Sequence, residues 1–568
     1  MKIALCQINP TVGAIDSNKN KILEFYKKAL SENSDIVVFP ELAITGYPPQ
    51  DLLLDEDFIE LNNVAINSLA KKATNPLIVG YVRKENNQMF NSAALCKDGE
   101  IVNNYDKILL PTYDVFDESR YFTQGAWPTV WPITYNGKKV KIGIQICEDL
   151  WDDGYDKKVS YLQKQKGADF LINISASPFR DKKINDREDQ ISQKVKEVKI
   201  PFLYCNIVGA QDELVFDGSS FAVDEKGMCF AKSEPFIEDT LYVDLKSTSR
   251  IKINYNSKYE NYFNALTLGI KDYFNKTNNY EAIIGLSGGI DSAVVAVLAS
   301  HALGGAAVYG VSMPSKFSSE HSKKDAELLA HNLGIDFKTI PIQKLVDRFE
   351  SSLVDFFSGT DRGTAEENIQ SRVRGNILMA LSNKFGRLVL STGNKTELAL
   401  GYCTLYGDMS GGLSVISDLN KNEVYELAKW VNKNKGNCIP LNSIEKPPSA
   451  ELSPNQVDPF DYNVISPLVD LIVQKTYSNT ELINQGFEEE TIIEIKKGPF
   501  PKKYTAYIKN KKTKKIKKLH FGDRRYQQYK DRTKLKLYKN KNHNTRKRMK
   551  NYYLKETQLI HRVHQYFL

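Results

Sequence analysis

Residues 285–292 read Gly285-Leu286-Ser287-Gly288-Gly289-Ile290-Asp291-Ser292, with an apolar run at 282–286 and an Ala/Val-rich run at 293–303. The pattern predicts a strand, a tight glycine turn and a helix. Gly288 and Gly289 let the backbone come close to a ligand, and the unpaired N–H groups of the helix start face whatever lies there. Such a turn selects an anion, here a pyrophosphate. Ser287 and Ser292 add hydroxyl donors, and Asp291 offers a hard oxygen to a Mg2+ shared with the phosphates. The stretch is not a Walker A loop, because no Gly-Lys-Ser/Thr follows the glycines. An ordinary glycine-rich turn would need neither the strand and helix flanks nor the serines and aspartate, so phosphate binding is the stronger reading.

Strand and helix signals alternate beyond this loop: strands at 308–311, 337–340 and 388–390, and helices at 320–333 and 365–385. Alternation of this kind predicts a doubly wound parallel sheet with its ligand at the carboxyl ends of the strands. Asn368 and Arg372, four apart, share one helical face, although a charged helix is commonly just solvated. The strand at 388–390 runs into Ser391-Thr392-Gly393-Asn394-Lys395-Thr396-Glu397, followed by Tyr402 and Tyr406-Gly407-Asp408-Met409-Ser410-Gly411-Gly412. A turn of small residues followed by a carboxylate predicts a second phosphate and metal station.

Upstream, short apolar runs at 3–8, 36–39, 77–82, 140–146, 169–174, 202–207 and 220–223 have strand length, and helical stretches at 18–30 and 60–72 lie between the early ones. This predicts a second α/β layer structure. Three stations carry chemistry: Phe39-Pro40-Glu41 at a strand end, Tyr105-Asp106-Lys107 in a polar loop, and Ile146-Cys147-Glu148-Asp149 at another strand end. A carboxylate, an amine and a thiol suit amide hydrolysis. Glu41 can take the thiol proton, Cys147 can attack the amide carbon, and Lys107 can stabilise the oxyanion and protonate the leaving amine. Alone, each has a plainer reading as a core thiol or a solvated charge.

Ser287 to Ser292 resembles the SGGxDS pyrophosphate loop of the ATP pyrophosphatases. The stations at Glu41, Lys107 and Cys147 resemble the catalytic triad of the nitrilase (carbon–nitrogen hydrolase) family. Longer matches, Glu41-Leu42-Ala43-Ile44-Thr45-Gly46-Tyr47-Pro48-Pro49, Phe116-Asp117-Glu118-Ser119-Arg120-Tyr121-Phe122 and Asn173-Ile174-Ser175-Ala176-Ser177-Pro178-Phe179, are similar to the glutamine-dependent NAD synthetase family over residues 1 to about 490. The resemblance implies a nitrilase-like α-β-β-α sandwich over 1–245, a linker over 246–258, and a Rossmann-like ATP-pyrophosphatase domain over 259–500. A basic C-terminal extension over 501–568 completes the chain.

The same resemblance implies that glutamine is held by Tyr113, Ser177 and Lys183, although Arg180-Asp181-Lys182 departs from the family's His-x-Gly before the lysine. ATP would be bound by Gly285 through Ser292 and by Thr392, with Lys421 and Ser449 as further nucleotide contacts. Mg2+ would fall to Asp291 and Glu397, and deamido-NAD to Asn368 and Glu397.

The chain of 568 residues carries net charge +8, unevenly distributed. Residues 501–568 hold 23 Lys+Arg against 3 Asp+Glu, leaving 54 against 66 for residues 1–500. The body is therefore acidic, and the basic character lies in the extension. Its lysines interleave with Tyr504, Tyr507, Tyr526, Tyr529, Tyr538, Tyr552 and Tyr553, a pattern that can serve nucleic acid but reads first as a solvated charge run. It resembles basic segments of proteins of large viruses, while Phe521-Gly522-Asp523-Arg524-Arg525-Tyr526 resembles the family's own Phe-Gly…Arg-Arg-Tyr-Pro terminus.

Seven scattered cysteines predict no disulfide framework and a reducing cytoplasm. The start shows no signal-peptide pattern and no apolar run reaches membrane length, so a cytoplasmic protein free of membrane is expected; a homo-oligomer is a separate expectation. The alternatives are another ATP-pyrophosphatase amidotransferase or a nucleic-acid-associated protein. Lys2 after Met1 excludes the N-terminal Cys nucleophile of asparagine synthetases, and tRNA-thiolating relatives would show paired cysteines.

Overall fold

A computed structural model describes residues 1–245, 255–473 and 475–497, together with the strands at 502–509 and 516–523. It divides into two compact units, Met1–Asn278 and Asn279–Leu568. Most of the expected linker (246–254) and of the basic extension lies outside the described residues; within the extension, Lys502–Lys509 and Ile516–Asp523 pair antiparallel.

In the first unit the strands are β1 (Lys2–Gln7), β2 (Ile36–Val38), β3 (Leu77–Glu85), β4 (Gln88–Lys97), β5 (Glu100–Asp106), β6 (Val130–Tyr135), β7 (Lys138–Ile146), β8 (Phe170–Ser175), β9 (Phe202–Asn206), β10 (Val208–Gln211), β11 (Leu214–Asp217), β12 (Phe221–Val223), β13 (Cys229–Lys232) and β14 (Asp239–Asp244). They form two six-stranded sheets, ordered β14-β1-β2-β3-β4-β5 and β13-β12-β9-β8-β7-β6, with β10 and β11 as a separate hairpin. One core lies between the sheets, where Ile3, Leu5, Ile36 and Val38 meet Ile142, Ile144, Ile172 and Leu203. The opposite face of each sheet is covered by helices, Ile15–Ser31 and Glu56–Lys72 on one and Lys183–Val198 on the other. This is the expected α-β-β-α sandwich.

The sequence reading anticipates only β1, β2, β3, β7, β8, β9 and β12 of these strands, and two differences bear on the sites. Tyr105 and Asp106 end strand β5 rather than lying in a polar loop, and Lys107 follows directly. That strand is the sheet edge and its outward face is polar, so no apolar run announces it. Residues 259–276, expected in the second unit, form most of the helix Lys258–Lys276, which packs on β10 and β11 within the first. Asp272 accepts hydrogen bonds from Asn9 Nδ2 and the Ala210 amide, both at 2.7 Å. A capping box between Ser257 and Glu260 starts this helix.

The second unit holds five parallel strands, β15 (Ala282–Gly285), β16 (Val308–Ser312), β17 (Asp336–Thr339), β18 (Leu388–Ser391) and β19 (Leu413–Ser414), in the order β17-β16-β15-β18-β19. Strand order reverses between β15 and β18, so the turns leaving these two neighbours diverge and open a crevice at the carboxyl edge. Helices Gln343–Ser352 and Thr364–Phe385 pack on one face, through Val346, Ile369 and Val373 against Ile283, Val311 and Val389. Helix Ile290–Leu303 is buried on nearly every side, which its unbroken small apolar run allows. No helix among the described residues is long and apolar enough to cross a membrane.

Candidate active sites

Glu41, Lys107 and Cys147 follow β2, β5 and β7, and the two facing sheets bring these strand ends together. Gly80 on β3 lets the Glu41 turn cross it, because a Cβ there would lie 2.3 Å from the Leu42 amide nitrogen. Lys107 Nζ donates to Glu41 Oε1 at 2.7 Å and to Glu118 Oε1 at 2.8 Å, with all three residues buried. Glu41 also accepts from Asn91 Nδ2 at 2.7 Å and from the Ala176 amide at 2.8 Å, so its carboxylate is held by three donors. Burial opposes the charge on Lys107, yet Glu118 and Glu41 hold it well above the ordinary lysine range. Burial pushes the Glu118 carboxyl upward, opposed by Lys107 and reinforced by Glu41.

Cys147 opens a short 3-10 turn, Cys147–Leu150, with φ at +43°, a left-handed backbone rarely seen outside glycine. Burial, then Glu41, push its thiol far above the usual range, and Lys107 opposes them. The resting group is therefore a thiol, and attack needs a base to take its proton.

Around this centre Glu148 accepts from Tyr113 Oη at 2.7 Å and Tyr155 Oη at 3.0 Å. Lys183 Nζ lies 3.9 Å from the centre of the Trp151 ring, and burial, followed by Arg187 and Arg180, lowers it to about 8. Ser177 is engaged elsewhere: its amide donates to Asn206 Oδ1 at 3.0 Å, and its Oγ accepts from Arg187 Nε at 3.2 Å.

In the second unit an open cleft is lined by Ser287, Gly289, Ile290, Asp291, Ser292, Thr392, Glu397, Lys421 and Ser449, among others. Gly288 has φ +78°, and a Cβ there would lie 2.1 Å from the Ser322 carbonyl oxygen; its own carbonyl accepts from Ser443 Oγ at 3.0 Å. Ser287 Oγ accepts the Gly289 amide at 3.1 Å and meets Ser292 Oγ at 3.2 Å, which shapes the turn. Lys421 Nζ reaches Asp291 Oδ2 at 2.6 Å and Glu397 Oε1 at 3.0 Å, and Asn394 Nδ2 donates to Asp291 Oδ1 at 2.9 Å. Burial raises the Glu397 carboxyl, with Lys421 opposing and Asp291 adding to the rise.

Other expected residues stand apart from the cleft lining. Gly285 ends β15, Leu286 is buried, and the Asn368 side chain accepts from Thr404 Oγ1 at 2.7 Å. Glu118, Asn91, Glu148 and Asn394 were given no role from sequence. Glu118, Glu148 and Asn394 stand inside quoted segments, 116–122, 146–149 and 391–397, while Asn91 left no trace there.

The first unit carries the buried thiol, amine and carboxylate of an amide-hydrolysing centre, and the second a glycine-turn cleft at a parallel-sheet switch point, suited to a nucleotide's phosphates. The model of the carbon–nitrogen hydrolase family matches residues 2–254, and that of NAD synthase matches 262–507. The chain is 44% identical over 518 residues to the glutamine-dependent NAD(+) synthetase of Synechocystis sp., covering 87% of this chain and 92% of that protein. It is 38% identical to that of Thermotoga maritima, covering 89% and 95%. The solved structure of glutamine-dependent NAD+ synthetase from Acinetobacter baumannii, in complex with ADP, superposes with TM-score 0.74 at 34% identity, covering 87% of this chain and 92% of that one. The chain belongs to the glutamine-dependent NAD(+) synthetase family.

Proposed function

We propose that the chain converts deamido-NAD to NAD, using ATP and the amide nitrogen of glutamine. The observation that carries this reading is the buried Glu41–Lys107–Cys147 centre on the same chain as the Ser287–Ser292 cleft. In the first unit Glu41 takes the Cys147 proton as sulfur attacks the glutamine amide carbon. Lys107 supports the oxyanion, ammonia leaves, and water then hydrolyses the thioester to glutamate. Glu148, Tyr113 and Lys183 surround the thiol with the charges that a zwitterionic amino acid needs, the carboxylate for its ammonium and the lysine for its carboxylate.

In the second unit the nicotinate carboxylate of deamido-NAD attacks the α-phosphorus of ATP and pyrophosphate departs. Ammonia then displaces AMP from the adenylate. A carboxylate is a poor electrophile until adenylated, and holding both reactants in one cleft supplies much of the remaining rate. The turn around Gly288, Ser287 and Ser292 would hold the phosphates, and Thr392, Lys421 and Ser449 the rest of the nucleotide. Asn368 and Glu397 are the candidates for deamido-NAD.

Among the described residues no group of three or more His, Cys, Asp or Glu is arranged to hold a metal. Asp291 and Glu397 nevertheless converge on a single ammonium, that of Lys421, so both can face one cation. Two hard carboxylates fit Mg2+, and Asp291 and Glu397 would hold it. When bound, Mg2+ would neutralise pyrophosphate charge.

The test is purified protein with ATP, Mg2+, deamido-NAD and either glutamine or ammonium, reading NAD and glutamate. Glutamate release without NAD would reject the synthetase half. NAD formed from ammonium but not from glutamine would reject the glutaminase half.

A further inference from the structure

Asp149 is wholly buried, and its carboxylate accepts four hydrogen bonds, every one from a protein group. Oδ2 accepts from the Ile146 amide at 3.0 Å and from Tyr105 Oη at 2.8 Å; Oδ1 accepts from the amides of Ile108 at 3.1 Å and Leu109 at 2.9 Å. Ile146 is the residue before Cys147, and Ile108 and Leu109 are the two residues after Lys107. One carboxylate thus ties the backbone carrying the thiol to the backbone carrying the amine. The turn at Cys147 has an unfavourable φ and needs outside support; the Lys107 backbone is held by the Asn91 carbonyl of β4 and the Gly125 amide, while the next two amides, Ile108 and Leu109, both go to Asp149.

We infer that Asp149 is a positioning residue that sets the distance between Cys147 and Lys107, and so the rate of the amide-cleaving step rather than the binding of glutamine. Asparagine at 149 keeps the volume but exchanges one acceptor oxygen for an NH2 group, which faces N–H donors it cannot satisfy. A displacement of about 1 Å at a reacting centre costs on the order of a hundredfold in rate.

The inference rests on the glutaminase reading of Cys147, so the experiment runs Cys147→Ala beside Asp149→Asn in the full chain. Glutamate release and ammonium-supported NAD formation are measured for both. Loss of glutamate release in Cys147→Ala upholds the glutaminase reading; its retention there rejects that reading and this inference with it. In Asp149→Asn the glutaminase kcat is expected to fall about a hundredfold, with the glutamine KM within about threefold and ammonium-supported synthesis unchanged. A kcat within threefold of the parent, or a KM that rises as far as kcat falls, overturns the inference. If Asp149→Asn does not fold, Tyr105→Phe removes one of the four donors and decides instead. A fall of about threefold to tenfold in kcat at constant KM supports the inference, and an unchanged kcat refutes it.

Discussion

Lys421 Nζ stands 2.6 Å from Asp291 Oδ2, placing an ammonium where the carboxylates of Asp291 and Glu397 converge. A divalent cation and an ammonium about 4 Å apart repel by about 8 kcal/mol at an effective dielectric constant near 20, so a metal at these carboxylates must displace the lysine. Phosphates would give the lysine somewhere to go. Nucleotide-free protein is therefore expected to bind Mn2+, a probe for Mg2+, weakly by electron paramagnetic resonance, and Lys421→Met to bind it at least tenfold more tightly. Equal Mn2+ affinity in the two proteins would disprove the competition.

Cys147→Ala should abolish glutamine-supported NAD formation and leave ammonium-supported formation within about twofold, because the thiol serves only the first half-reaction. Initial rates with each nitrogen source check this. A mutant that folds but loses both activities would show that the division of labour is wrong.

Glu118 shares the Lys107 ammonium with Glu41 and also accepts from Tyr47 Oη at 3.0 Å. Glu118→Gln keeps an acceptor oxygen but removes one of two negative charges that hold the lysine protonated. Glutaminase kcat is expected to fall by about tenfold to a hundredfold, and the melting temperature to drop. Wild-type kcat in the folded variant would leave Glu118 without a catalytic consequence.

Lys183, lowered to about 8 by burial first and then by Arg187 and Arg180, loses its charge within the working range. If it holds the glutamine carboxylate, the KM for glutamine should climb as pH rises through about 8, and Lys183→Arg should flatten that climb. For stability the sign is opposite. Between about 8 and the ordinary lysine value of 10.5 the folded chain binds fewer protons at this site than the unfolded chain, so the group adds stability as pH rises through that window. A glutamine KM independent of pH from 7 to about 9.5 would remove Lys183 from the site.

Gly288→Ala would put a Cβ 2.1 Å from a backbone oxygen at a φ of +78°, costing about 2 kcal/mol or more. The variant is expected to lose ATP-dependent turnover and some thermal stability while glutamate release persists. Intact NAD synthesis would show that the turn tolerates rearrangement.

How much of this was legible beforehand depends on the range of the forces involved. The turn at 285–292, the flanking strand and helix, and the strand end before Cys147 are written in near neighbours, because glycine placement and apolar periodicity act over a few residues. The same local logic failed at β5, whose edge position makes its sequence polar, and at Lys258–Lys276, whose helical pattern says nothing of which sheet it joins. Sequence alone determined that a thiol, a carboxylate and an anion-binding turn occur where strands end, with an amine in a polar segment between them. Only the tertiary structure decided that Glu118 joins Lys107, that Asp149 ties Ile146 to Ile108 and Leu109, and that Lys421 bridges Asp291 and Glu397. A buried charge takes its partner from whichever strand end or helix folding sets beside it, and in these pairs that partner lies up to 130 residues away along the chain.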